Sequence, residues 1–240
     1  MRLHCAVTVG VALASASGAA FGGVLFTYED PNAKNQEFRV FAPQKQGDNG
    51  TIQFDSEQVL RLRIDASEEQ PGAVVEVDAR LSFIDMIVGP ASQVGNSLIG
   101  QSAGRFEFRT ADEDNELIIA GEFEDGVLLT LFDAGSQQTA MNEAGGTLVL
   151  TPGPALFTIL LEQADYALPG IDPNGPSSAA WGLANIDEIN PSSLLGEGPG
   201  RYFPDFDADS AFVGRFEVPA PGAVVLTGLS GLALVARRRR

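Results

Sequence analysis

Much of the chain is patterned with a period of two. Leu60, Leu62 and Ile64 alternate with Arg61, Arg63 and Asp65. Successive side chains of a strand point to opposite faces, so this run predicts a strand with one buried and one wet face. Val75, Val77, Ala79, Leu81 and Phe83 alternate in the same way with Glu76, Asp78, Arg80 and Ser82. Phe106 and Phe108 alternate with Arg105, Glu107 and Arg109. Segments 117–123, 127–132, 147–150 and 156–161 are more continuously apolar, as central strands are. Weaker alternation at 24–28, 37–41, 179–186 and 211–218 predicts further strands.

Turn-formers separate these runs: Gly47-Asp48-Asn49-Gly50, Gln70-Pro71-Gly72, Glu124-Asp125-Gly126, residues 142–146, and Thr151-Pro152-Gly153-Pro154. Glu124-Asp125-Gly126 lies between two strand-like runs and predicts a hairpin turn. No segment sustains a 3.6-residue apolar stripe; at most residues 187–195 hold a helical turn. About ten short strands in one unit predict an all-β domain over residues 23–217, an antiparallel β-sandwich or jelly roll. Two stretches, 169–176 and 190–204, read as long irregular loops, which in compact domains are often functional.

Both ends differ from this body. In residues 1–22, Arg2 precedes an apolar run at 5–14, and Ala14-Ser15-Ala16, Gly18-Ala19-Ala20 and Ala20-Phe21-Gly22 all fit a small-x-small cleavage pattern, which leaves the cut site open among them. That order predicts a secretory signal peptide. Residues 218–240 have three parts: Val218-Pro219-Ala220-Pro221, an uncharged apolar run at 222–236, and Arg237, Arg238, Arg239 and Arg240. As a helix the apolar run would cover about 22 Å, short of the ~30 Å hydrocarbon core. Snorkelling arginines and local thinning can make up the difference. The Arg cluster would stay on the cytoplasmic side, leaving the body outside.

The three-part tail resembles the PEP-CTERM sorting signal, which exosortases of Gram-negative bacteria recognise. Ala220 stands where that family usually has Glu. The resemblance implies an exported protein that passes through the inner membrane by its C-terminal helix. It implies an exosortase-type enzyme as partner and the cell surface or the extracellular space as destination. It also implies a role in the extracellular matrix, with exopolysaccharide as a partner.

Composition narrows the chemistry. All 32 acidic residues lie between Glu29 and Glu217, while five of the 15 basic residues lie outside that stretch. The body thus holds 32 acidic against 10 basic residues, a net of −22. Such a field argues against nucleic-acid binding and favours solubility. The only His and the only Cys are His4 and Cys5. Once residues 1–22 are removed, a disulfide, a Cys nucleophile, a Ser-His-Asp triad and a Cys/His zinc site are excluded.

Candidate sites are few. Asp205, Asp207 and Asp209 alternate before the last strand, and oxygen ligands at such spacing suit calcium. The EF-hand pattern is not met, because Ser210 stands where Gly is needed and Phe216 where the bidentate Glu belongs. A second acidic run, Asp112-Glu113-Asp114-Asn115-Glu116, reads as a solvated loop tip. Trp181, the only Trp, could stack on a sugar ring or pack in the core. Nothing in the sequence selects a pair of carboxylates for glycoside hydrolysis. The expectation is a non-enzymatic surface or matrix protein with no cofactor other than calcium as a candidate. The alternatives are a calcium-assisted carbohydrate-binding module and a polysaccharide hydrolase.

Overall fold

The computed structural model describes residues 22–29, 36–45, 47–133, 136–143, 148–171, 175–184, 186, 192–197 and 200–218. The signal-peptide segment before Gly22 and the tail beyond Val218 lie outside the described residues. So does most of the helical turn expected at 187–195.

The described chain is mostly antiparallel β-structure. In the first half the strands are β1 (Gly23–Glu29), β2 (Phe38–Phe41), β3 (Gly50–Phe54), β4 (Leu60–Asp65), β5 (Val74–Val94) and β6 (Ser97–Thr110). In the second half are β7 (Leu117–Asp133), β8 (Ser136–Glu143), β9 (Val149–Pro152), β10 (Ser177–Ala184) and β11 (Phe206–Glu217). One helix, α1 (Pro154–Ala164), follows β9.

Hydrogen bonding closes the sheet on itself. The circuit runs β1–β4–β5–β6–β7–β8–β10–β11 and returns to β1. The pair β2 and β3 fills the gap between the other ends of β11 and β5. Two positions in the wall are therefore each made of two short strands, β1 with β2 and β4 with β3. Closure leaves few unpaired strand edges, which would otherwise template aggregation.

Alternation decides which residues fill the interior. Leu60, Leu62 and Ile64 are buried while Arg61 and Arg63 face solvent, as their pattern predicts. The interior holds a connected set of rings. Trp181 contacts Phe83, Phe106 and Phe212 at centroid distances of 5.5, 5.0 and 4.9 Å. Phe212 also meets Phe108 at 5.0 Å and stacks on Tyr28 at 5.9 Å. Aromatic pairs at these separations add to the area they bury.

Two expected elements are corrected. Glu124-Asp125-Gly126 is not a hairpin turn, because β7 runs straight through it. Phe123 pairs with Gly104 and Gly126 with Ser102, so Glu124 and Asp125 together oppose Ala103 in a β-bulge. Gly126 is needed there, since a Cβ would lie 2.4 Å from the Phe123 ring and 2.6 Å from Ser102 Oγ. Segment 156–161 is not a strand but the middle of α1. Pro154 opens the helix, where its preset φ fits and its missing N–H costs nothing. Ala155, Leu156, Ile159 and Leu160 then fall on one buried face. Asp165 at φ 50° ends the helix, and the Tyr166 N–H donates to the Leu160 carbonyl at 3.0 Å.

The first and last described strands lie side by side. Gly23 pairs with Glu217, and the Val218 N–H donates to the Gly22 carbonyl at 3.1 Å. Val218 is fully buried, so the packed body extends one residue past Glu217. Part of the expected long loop at 190–204 is tied down. Leu195 and Tyr202 exchange hydrogen bonds at 2.9 Å, and the Ala91 N–H donates to the Arg201 carbonyl at 2.6 Å. No helix among the described residues is long and apolar enough to cross a membrane.

Candidate functional site

The outward faces of β5 and β6 build an open groove. Period-two alternation that sends Ala79, Leu81, Phe106 and Phe108 inward sends Arg80, Ser82, Glu107 and Arg109 outward. Register then sets Arg80 opposite Arg109, Ser82 opposite Glu107 and Ile84 opposite Arg105. Arg80, Ser82, Ile84, Glu107 and Arg109, with Ser56 from the β3–β4 loop and Asp112, Glu113 and Asn115 from the β6–β7 loop, line this open groove of about 870 Å³.

Glu107 organises the groove. Its Oε1 accepts from Arg105 Nε and Nη2 at 2.9 and 2.7 Å, and its Oε2 accepts from Arg109 Nε at 2.8 Å. The Glu107 side chain is only 10% exposed. Burial by itself would raise its pKa. The hydrogen bonds and charges of the two arginines outweigh that and hold it below the usual carboxylate range. Arg109 is also committed elsewhere, donating through Nη1 to the Asn115 carbonyl at 3.0 Å. Arg80 makes no ion pair or hydrogen bond among the described residues.

The acidic run 112–116 is the exposed tip between β6 and β7, as its composition predicts. It is a folded turn. Thr110 Oγ1 donates to Asp112 Oδ1 at 2.6 Å and accepts from the Glu116 N–H at 2.9 Å. The Asn115 N–H donates to the same Asp112 oxygen at 3.2 Å. The Thr110 hydroxyl above all, helped by backbone N–H groups, lowers the Asp112 pKa and outweighs the opposing effect of burial.

The residues singled out in the sequence lie elsewhere. Trp181 has 0% exposure and sits among phenylalanines, so its ring offers no face to a sugar. Packing, the other role its sequence context allows, is the one it has. Asp205, Asp207 and Asp209 follow one another along β11 and its approach, and Asp205 and Asp207 turn to different neighbours. Asp205 Oδ1 accepts from the Ala42 N–H at 2.7 Å, and exposed Asp207 lies 3.9 Å from Arg39 Nε. Asp209 is 5% exposed and pairs in register with Ala184 on β10. Among the described residues no group of three His, Cys, Asp or Glu side chains could hold a metal ion. Of the sorting-signal residues, only Val218 is described.

Sequence reasoning missed the groove. The alternating charges at Arg105, Glu107 and Arg109 were visible, but their juxtaposition with Arg80 depends on the β5–β6 register. Comparison with protein-family models, with curated proteins and with solved structures finds no match.

Proposed function

We propose that this is an exported protein of the cell surface or extracellular matrix with a binding or structural role rather than a catalytic one. The observation that carries the reading is the three-part segment 218–240, with its Pro motif, apolar run and four terminal arginines. An exosortase-type enzyme would act on that segment after the signal peptide has directed the chain outward, and exopolysaccharide would be a partner of the exported body. The body suits such a destination. It carries the acidic excess noted above and needs no cysteine to hold its core. We take its closed sheet to be flattened into two layers, as a sandwich is. Support comes from Phe83 on β5 reaching Trp181 on β10, and Phe108 on β6 reaching Phe212 on β11, directly across the interior.

The β5–β6 groove is the surface best suited to contact a partner. Its most buried carboxylate favours binding over acid catalysis. A glycosidase acid must hold a proton near neutral pH, whereas Glu107 is kept ionised by Arg105 and Arg109.

Intact-mass measurement and cell fractionation of the protein from its native host test the reading. Expected is a surface or extracellular species lacking both the segment before about residue 22 and the terminal arginines. A cytoplasmic species that retains residues 1–22 and Arg237–Arg240 would overturn it.

A further inference from the structure

The strongest unexplained feature is a cationic pair inside an acidic body. Arg80 and Arg109 face each other directly across β5 and β6. Like charges in that position repel. Arg109 is relieved by Glu107 and by the Asn115 carbonyl, while Arg80 has no partner among the described residues. Arg80 lines the groove, and none of its five guanidinium donors is committed among the described residues.

We propose that the groove binds a carboxylate-bearing, polyhydroxylated ligand of the uronic-acid type, with Arg80 as the carboxylate clamp. A planar guanidinium matches a planar carboxylate through two parallel hydrogen bonds. The rest of the lining suits the remainder of such a ligand. Ser56, Ser82 and Asn115 offer hydroxyl and amide partners, and Asp112 and Glu113 can accept from ligand hydroxyls. Ile84, 38% exposed, gives an apolar patch for the C–H face of a sugar ring. The same two rim carboxylates disfavour a dianion, so a singly charged carboxylate fits better than phosphate.

This rests on the reading of the groove as the partner-contacting surface, and its test is separate from the test of export. The full chain is titrated with glucuronate, glucose and inorganic phosphate, followed by calorimetry and by ligand-observed NMR. Glucuronate should bind, and glucose and phosphate should bind at least about tenfold more weakly. Arg80→Gln should weaken glucuronate binding about tenfold or more without lowering the unfolding midpoint, because Arg80 has no ion pair or hydrogen bond among the described residues to lose. Arg80→Lys, which keeps the charge but not the fork, should fall between. Equal binding of glucose, equal binding of phosphate, or an Arg80→Gln variant that binds glucuronate normally would each overturn the proposal. Absence of glucuronate binding would also overturn it and would leave the export reading standing, since mass and fractionation judge that reading independently.

Discussion

Phe83 on β5 and Trp181 on β10 meet edge to face, their ring centroids 5.5 Å apart and their planes at 85°. The two strands belong to opposite walls of the closed sheet, so this contact joins the walls through the middle of the core. Trp181 is the only Trp, and its emission reports on this one place. The native protein should show blue-shifted emission that acrylamide quenches poorly, moving to the red on unfolding. Trp181→Ala should cost about 3–5 kcal/mol, measured by urea unfolding, because the cavity is walled by rings that cannot all collapse into it. Red-shifted, easily quenched native emission would place the indole at the surface instead.

Glu107 gives an acid-side prediction. Its folded pKa lies below the unfolded value of about 4.5. Its contribution to stability is therefore complete above that value and is lost as pH falls through the lower folded one. Glu107→Gln should destabilise the protein by about 1–3 kcal/mol at neutral pH, since two arginines lose their shared carboxylate. The gap between variant and wild type should narrow below about pH 4.5. Comparing the two isolates Glu107 from Asp65 and Asp112, whose pKa values are also lowered. A gap that stays constant with pH would sink the assignment.

Tyr166 gives the alkaline counterpart. Burial first, and the charge of Glu69 second, push its phenol from 10.0 up to about 12. Between those values the unfolded chain releases the proton before the folded one does, so stability falls as pH rises from about 10. Ultraviolet titration should show a phenolate step near 12 that disappears in Tyr166→Phe. A variant whose titration matches wild type would show that the late step belongs elsewhere.

Gly153 sits where the chain passes from β9 to α1, and a Cβ there would lie 1.9 Å from the Leu117 carbonyl oxygen. Backbone cannot swing away as a side chain can. Gly153→Ala should therefore destabilise by at least about 1–3 kcal/mol and loosen the packing of Leu156 and Leu160. Lowered amide protection across α1, read by hydrogen exchange, would accompany the lower urea midpoint. Unchanged protection and an unchanged midpoint would mean that the β9–α1 junction has room to spare.

The parts of this fold that are legible in the sequence are those governed by neighbours along the chain. Leu60, Leu62 and Ile64 are inside because period-two alternation is a local rule. The helix was hidden because residues 155–161 are apolar on nearly every side, which erases the difference between the two periods. Pro154 after Gly153 was the available signal, since a proline there suits the first turn of a helix. The bulge at Glu124-Asp125 was hidden because a turn and a bulge draw on the same residues. Trp181 is surrounded by Phe83, Phe106 and Phe212, none of them close to it in sequence, so its burial could not be read from Ser177–Ala184 alone. The groove was illegible for the same reason, because Arg80 meets Arg109 only once β5 and β6 are in register.

The pairing of β1 with β11 also sets a schedule. Residues 23–29 leave the ribosome long before residues 211–217, yet neither strand completes its wall without the other. Closing this pair joins segments at the greatest separation the body contains, and such closures are slow. Until then the sheet stays an unlatched ribbon with open edges. That delay leaves the unlatched form as the one that most needs protection from aggregation.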